Sequence, residues 1–388
     1  MSSKLKLGIV GACGRGSGFK VACDAIADRV SLTAVCDTNA ARLPEAAARF
    51  GAERQYTDYQ AMLDDGCVDA VIIGTPMHFH VPQSIAALDR GISVLCEVPA
   101  GISIAECREL VLACERSNAV YMMGENFTYL RSNVAVREMV RQGLFGDLYY
   151  AEGEYLHELK KLNERTIWRR KWQTGINGIT YGTHSLGPVL QWFSGQRVTS
   201  VCCAGSGHHH RDAKGDLYEA EDTSVMLCRM SGGGLVKIRV DMLSVRPHNM
   251  SGYSLQGATG CYESSRGLTD QDKIWLQHRD PEGGPNASGY DCTYKWEALD
   301  EIVEQYLPDW YKSGSEIAKQ AGHGGGDFFE VLDFIDFVES RRPCPIGIHQ
   351  AMDMTLPGLV SQQSISSEGN WLPVPDSRTW TDDTDGRV

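Results

Sequence analysis

Short, almost wholly apolar runs separated by amphipathic stretches fill the first third of this chain. Residues 5–10, 32–36, 69–76, 92–97 and 120–124 read as buried strands, and residues 80–90 and 104–117 as helices between them. Strands spaced by helical stretches of about ten to fifteen residues predict a parallel sheet covered on both faces. Past residue 126 the texture changes. A helix is predicted over 133–142, followed by long alternating strands over 148–155, 223–230, 235–243 and 253–256. Such alternation describes an open, mainly antiparallel sheet with one face covered by helices. Residues 279–289, rich in Gly, Pro and Asp, predict a loop, and 290–326 read as irregular. Two more helices are predicted over 328–340 and 348–366. The pattern divides an α/β chain into two domains, 1–126 and 127–388.

The first strand feeds the most specific motif, Gly11-Ala-Cys-Gly-Arg-Gly16, and the second ends at Asp37. Strand, tight turn, helix, strand and acid follow in the order of a dinucleotide-binding Rossmann unit, a doubly wound parallel sheet. Glycines permit the sharp turn and let backbone approach a pyrophosphate, while a helix N-terminus offers N–H groups to that anion. Asp37 stands where a carboxylate accepts hydrogen bonds from a ribose 2′-hydroxyl. It would repel a 2′-phosphate: two unit charges about 4 Å apart cost roughly 1–4 kcal/mol, which favours NAD over NADP. Gly11, Cys13, Gly14, Arg15, Gly16 and Asp37 are therefore expected cofactor contacts, with Cys13 where a second glycine is usual. Thr75, Pro76 and His80 follow a parallel strand at its C-terminal edge, and Glu97 and Asn126 follow later strands on the same edge. That edge is where such sheets bind ligands.

Composition narrows the partners. Hydrophobic content of 42% and charged content of 22% are those of a globular protein. A net charge of −13 argues against nucleic acid or an anionic membrane as the main partner. No apolar stretch reaches about eighteen residues, so no segment is expected to span a bilayer. The N-terminus, Met1-Ser-Ser-Lys-Leu-Lys, runs straight into the first strand without an apolar signal core. Thirteen cysteines without a CxxC pair suit free thiols in a reducing cytoplasm. Cys202-Cys203 reads as strand, with a redox pair as the alternative.

Beyond residue 126 a set of spaced motifs identifies a family. The chain resembles the glucose-fructose oxidoreductase / inositol dehydrogenase / MocA family, which joins a nucleotide domain to a C-terminal α/β domain with an open sheet. In that family the fifth strand usually ends in Glu-Lys-Pro, the lysine helping to move a substrate proton; here the place reads Glu97-Val98-Pro99. Simple dehydrogenases of the family also tend to place an aspartate three residues before a catalytic histidine, where this chain has Tyr181 before His184. Trp168-Arg169, Tyr181-Gly-Thr-His184-Ser-Leu-Gly-Pro188, Glu125-Asn126-x-x-Tyr129, Tyr155-Leu-His157-Glu158, Arg246-Pro247 and Gly322-His323-Gly-Gly-x-Asp327 resemble one branch. That branch is glycoside hydrolase family 109, the NAD-dependent α-N-acetylgalactosaminidases. His248 stands where the branch has a substrate-binding tyrosine, and Met77 where it has a tryptophan beside the cofactor.

The resemblance implies glycosidic cleavage by transient oxidation. A hydride leaves sugar C3, the resulting ketone acidifies the C2 hydrogen, the C1 group departs by elimination, water adds, and the hydride returns. Ordinary glycosidases need two carboxylates flanking the bond, and no such pair is identifiable from the sequence. The C3 hydroxyl needs a proton acceptor, which suits the imidazole of His184 with Tyr181 beside it. By resemblance Tyr129 removes the C2 proton, a role that asks for nearby positive charge. Tyr155, Arg169, Tyr181, His184, His248 and His323 are the expected sugar contacts, and Met77, Val98 and Tyr181 join the cofactor set. A small glycoside or sugar is the expected substrate, and a homodimer or homotetramer the expected assembly by analogy.

Plainer readings stand beside these. Tyr181 and His184 could satisfy each other at a helix start, and Tyr129 could simply pack. Asp327 could cap the helix at 328, or lie near substrate. His208-His209-His210 lies in a polar loop without further ligands at fixed spacing, so no metal is expected. Lys160, Lys161, Arg165, Arg169, Arg170 and Lys171 read as a solvated face or as a pocket for an anionic sugar. Tyr290, Tyr294, Trp296, Tyr306, Trp310 and Tyr311 offer stacking surfaces or packing. The rival activities are an NAD-dependent pyranose or inositol dehydrogenase that releases NADH, and a sensor without turnover.

Overall fold

A computed structural model describes residues 4–381, so Met1 to Ser3 of the N-terminus lie outside the described residues. The chain forms two compact units. Of the described residues, one takes 4–129, Ser313–Leu356 and 376–381; the other takes Leu130–Lys312 and Pro357–Pro375. The first crossing falls near the expected boundary. The return of Ser313–Leu356 to the first unit corrects the division at 126, which assigned everything beyond it to a second domain.

The first unit is built on β1 (Leu5–Val10), β2 (Val30–Cys36), β3 (Arg54–Tyr56), β4 (Ala70–Ile73), β5 (Ser93–Glu97) and β6 (Tyr121–Gly124). They pair in the order β3-β2-β1-β4-β5-β6, every pair parallel, which is the doubly wound arrangement expected. β4, β5 and β6 are buried along their whole length, which explains their continuous apolar runs. Helix Gly326–Val338 belongs here because of what it buries: Phe328, Phe329, Val331, Phe334 and Ile335. Met123 N–H donates to Ile346 O at 3.0 Å, and Arg29 pairs with Asp336 and Glu339 at 2.6 and 2.7 Å. An apolar helical stripe reveals that a face is covered, but not which sheet covers it.

The second unit holds β7 (Leu148–Leu156), β8 (Val198–Gly205), β9 (Thr223–Met230), β10 (Leu235–Asp241), β11 (Ser251–Gly257), β12 (Gly260–Glu263), β13 (Lys273–Leu276), β14 (Glu297–Ala298) and β15 (Leu372–Pro373). Their order is β14-β13-β12-β11-β7-β10-β9-β8-β15. All pairs are antiparallel except β7 with β10, so the sheet is mixed at its centre. Cys202 and Cys203 lie on β8 as strand residues. The region read as irregular contains helices Leu299–Ile302 and Asp309–Ala318, the latter amphipathic despite its glycine and serines. No helix among the described residues is long and apolar enough to cross a membrane.

Helix Thr183–Trp192 lies against β7. A Cβ added at Gly153 would fall 2.0 Å from Ser185 O, so the helix backbone rests directly on the strand at that point. Tyr155 follows two residues later on the same face of β7. Gly153→Ala is expected to force this helix outward and lower stability by about 1–3 kcal/mol. A urea midpoint equal to that of the unsubstituted chain would contradict the close approach.

Candidate active site

The glycine turn of the first unit is assembled from backbone contacts. Gly11 has φ +79°, and a Cβ there would lie 2.6 Å from Gly74 O beyond β4; one at Gly16 would lie 2.8 Å from Gly11 O. Cys13 has an ordinary negative φ, so a side chain is tolerated at the second glycine position. Its N–H donates to Asp37 Oδ2 at 2.9 Å, while Asn39 N–H donates to Oδ1 at 2.8 Å. Two backbone donors thus fix the acid at the end of β2, beside the turn. The helix expected after the turn starts as a 3-10 segment, Arg15–Phe19, and continues as Lys20–Ala25. A tight cradle without side chains and an anchored acid fit a dinucleotide with a free ribose 2′-hydroxyl.

The other expected contacts are placed as follows. Thr75 Oγ1 donates to Gln83 Oε1 at 2.6 Å, and Met77 and Val98 are buried. His80 is also buried, with Nδ1 2.8 Å from Pro99 O and Nε2 2.9 Å from Thr75 O. Burial lowers its pKa against the opposing effect of those two carbonyls. A neutral imidazole donates to only one of them. Both ring nitrogens face backbone, so His80 bridges the ends of β4 and β5 and does not itself present a group to cofactor.

Arg15 gathers the rest. Its Nε donates to Glu97 Oε1 at 2.5 Å, and Nη1 and Nη2 engage Asp327 in a fork at 2.7 Å each. Asp327 also accepts from Asn126 Nδ2 at 3.0 Å and faces His323 Nδ1 at 2.9 Å. Burial pushes the Asp327 carboxyl up, but the bonds from His323 and Arg15 and the guanidinium charge outweigh it and hold it well below the usual range. It caps nothing: the helix starting at Gly326 has no side-chain cap, which corrects that reading of Asp327. Glu330, fully buried, lies 3.6 Å from Arg15 Nη2. Burial first, then the charges of Asp327 and Glu97, raise its carboxyl far above the ordinary value. Sequence reasoning missed Glu330. The signal was there in Asp327, Glu330 and Asp333, spaced i, i+3, i+6 along one face of a helix that is buried on that face.

Tyr129, expected as the C2 base, lies in the core of the first unit at 1% exposure. Its hydroxyl donates to Asp333 Oδ2 at 2.8 Å and its ring stacks on Phe329, with centroids 6.3 Å apart. Asp333 in turn pairs with Arg342 at 2.5 Å. The hydroxyl proton is held by a carboxylate and the ring is packed, which suits the plain packing reading of Tyr129 as well.

In the second unit four expected residues and one neighbour converge. Tyr155, on β7, has its ring centroid 5.2 Å from His184 and 5.8 Å from Tyr181, and these two are 5.3 Å apart. Tyr155 Oη is 2.9 Å from His157 Nδ1, and the His157 ring is 5.4 Å from His248. Tyr253 donates to His184 O at 2.6 Å, fixing the helix start that carries it. Exposure rises along the group: Tyr155 and His184 are buried, Tyr181 and His157 half-buried, His248 exposed. Burial, then the positive charges of His248, Arg169 and His184, lower the His157 pKa to about 4. The imidazole is therefore neutral at working pH and free to accept from Tyr155 at Nδ1. Arg169 Nη1 donates to Gln173 Oε1 at 2.9 Å. His323 and Tyr129 belong to the first unit. Elsewhere, His210 faces Asp222 at 2.8 Å and His209 Nε2 faces Ser206 O at 2.9 Å.

The His157 shift predicts acid sensitivity. Its folded-state value lies below the ordinary 6.5, so between about pH 6.5 and 4 the unfolded chain binds a proton that the folded chain refuses. Stability is fully present above that window and falls as pH drops through it. Replacing His157 by Gln should flatten this acid limb by roughly 1–2 kcal/mol, allowing for the ring's partial exposure. Urea midpoints measured from pH 7 to pH 4 check this, and an unchanged slope would contradict it.

Comparison with known proteins agrees with this geometry. Residues 5–125 match the model of the oxidoreductase family with an NAD-binding Rossmann fold, and residues 129–381 match that of the glycosyl hydrolase 109 C-terminal domain. A glycosyl hydrolase family 109 protein of Shewanella pealeana is 28% identical over 409 residues, covering 96% of this chain and 85% of its own length. A protein of Shewanella oneidensis named alpha-N-acetylgalactosaminidase is 28% identical, covering 89% of this chain and 79% of itself. Among solved structures, a levoglucosan dehydrogenase in complex with NADH and levoglucosan superposes with a TM-score of 0.77 at 19% identity, covering 96% of this chain and all of that one. The WlbA dehydrogenase of Bordetella pertussis, in complex with NADH and UDP-GlcNAcA, gives 0.75 at 21%, covering 97% and 99%. The chain belongs to the glycosyl hydrolase 109 family and, with its NAD-binding Rossmann unit, is an NAD-dependent enzyme.

Proposed function

We propose that this enzyme hydrolyses glycosides by lending a hydride from sugar C3 to its cofactor and taking it back, with no net NADH. The observation that carries this reading is the joining of His184, Tyr181, Tyr155 and His157 in one group, in a chain with Val98 where a dehydrogenase of the fold would have lysine. NAD, when bound through the glycine turn and Asp37, supplies the reversible hydride acceptor. His184 accepts the C3 hydroxyl proton as the hydride leaves, and Tyr181 orients the same hydroxyl. A C3 ketone makes the C2 hydrogen acidic, so a modest base suffices. We assign that base to Tyr155, whose own proton has an acceptor 2.9 Å away in the neutral His157. The C1–oxygen bond then breaks and the leaving oxygen takes up a proton from solvent. Water adds its hydroxyl to C1 and returns a proton to solvent. C2 regains its proton from Tyr155, and the hydride and the His184 proton return to C3 and its oxygen. The Shewanella oneidensis relative makes α-linked N-acetylgalactosamine the first substrate class to test.

Purified protein given 4-nitrophenyl glycosides should release nitrophenol with no accumulation of NADH. Stoichiometric NADH without nitrophenol would make it a sugar dehydrogenase, and neither signal over a broad panel would make it a sensor. In deuterated water the released sugar should carry deuterium at C2. Tyr155→Phe should lower turnover by about 10²-fold or more and stop that exchange, while NAD affinity is unchanged. Exchange lost in Tyr129→Phe but kept in Tyr155→Phe would return the base role to Tyr129.

A further inference from the structure

Helix Thr183–Trp192 carries a proline in its interior, Pro188. Proline has no N–H, so inside a helix it cannot make the bond that residue i ordinarily gives to the carbonyl of residue i−4. Four residues before Pro188 stands His184. The carbonyl that loses its ordinary helical donor is therefore that of the residue assigned to accept the C3 hydroxyl proton.

A side chain from the sheet donates there instead. Tyr253, on β11, gives its hydroxyl to His184 O at 2.6 Å. The strand register explains its reach. Tyr253 pairs across the ladder with Gly153 of β7, so its side chain stands on the same face as Tyr155, beside the one position that has no side chain. At Gly153 the helix rests on the strand through Ser185 O. The phenol ring also meets the far end of the helix: Trp192 lies edge-on to it, with centroids 5.8 Å apart. His184, Pro188 and Trp192 recur every four residues along one helical stripe, so Tyr253 spans the turn in which the proline sits. Its backbone is held as well. Tyr253 N–H donates to Ser264 Oγ at 2.7 Å, and Ser264 N–H donates to Tyr253 O at 2.9 Å. At 3% exposure Tyr253 is a core residue. A phenylalanine would pack equally well without a hydroxyl to bury, so the hydroxyl is explained by its acceptor.

We infer that Tyr253 is a positioning residue for His184: its hydroxyl supplies the hydrogen bond that Pro188 withholds, and so fixes the turn that aims the imidazole at the sugar hydroxyl. Tyr253 acts through His184 and not on the sugar. The inference goes beyond the glycosidase reading and rests on it for the role of that imidazole.

Tyr253→Phe keeps the ring against Trp192 and removes only the hydroxyl. In the full, NAD-loaded chain, kcat for nitrophenol release should fall about tenfold, with KM and NAD affinity changed less than about twofold. Adding Pro188→Ala returns an N–H to position 188, and the double variant should recover most of the loss. The same Pro188→Ala change in the unsubstituted chain, where Tyr253 already donates, should bring no gain. In protein carrying isotope-labelled histidine, the His184 ring signal should shift in Tyr253→Phe and return in the double variant, a readout that needs no turnover. An unchanged kcat, a loss that Pro188→Ala leaves unrepaired, or a His184 signal that stays in place would each overturn the proposal. Coupling of the two positions in urea midpoints but not in kcat would overturn it too, since the bond would then serve stability alone. NADH formation in place of nitrophenol release, with the same loss and rescue, would remove the glycosidase reading and keep this one. Nitrophenol release without NADH that Tyr253→Phe leaves untouched would do the reverse.

Discussion

The backbone contact between Gly153 and Ser185 is the constraint on which the second unit's chemistry depends. With no side chain at 153, the start of helix Thr183–Trp192 settles directly on β7, and residues two apart on that strand stand beside it. Tyr155 then meets Tyr181 and His184 without any long-range bridge, and the bond from Tyr253 to His184 O holds the helix start in place. The imidazole thus sits on a packed element with little freedom to wander, as the role proposed for it requires.

Two arginines show opposite solutions to one electrostatic problem. Arg15 has more carboxylate than it needs: Glu97, Asp327 and Glu330 surround it, and burial with the charges of Asp327 and Glu97 pushes the Glu330 carboxyl well above its ordinary value. Arg15 ties the glycine turn to Asp327, 312 residues away in sequence, and through that carboxylate to Asn126. Buried pairs of this kind are costly to break and more useful for fixing geometry than for net stability. Among the described residues Arg169 pairs with no carboxylate, and its Nη1 donates to the Gln173 amide oxygen instead.

Local features were legible in the sequence, and partnerships were not. The glycine turn, Asp37 and five of the six parallel strands follow from short-range spacing, because each is decided by neighbours within one βαβ unit, whereas the three-residue edge strand β3, largely exposed, left no apolar run to read. Tyr181 lies in the turn just before helix Thr183–Trp192 and His184 in its first turn, three residues apart, so their meeting was also readable. The return of Ser313–Leu356 to the first unit was hidden, because an amphipathic helix carries no label for its sheet. For the same reason Asp327 read as a cap when it is the acceptor for Arg15, Asn126 and His323. Tyr129 followed a strand in a family-like motif, and its bond to Asp333, 204 residues away in sequence, was beyond any local pattern. The parallel pairing of β7 with β10 is likewise invisible to alternation, which is the same for either direction.

What unites these observations is a chain with the cofactor domain of an oxidoreductase and the second domain of a glycosidase family, with residues suited to a hydride borrowed and restored. An aryl glycoside labelled with deuterium at C3 tests that most directly. The label should slow turnover and reappear at C3 of the released sugar, carried over on the same cofactor molecule. Deuterium accumulating in free NADH, or cleavage at full speed with no sensitivity to the label, would contradict the account.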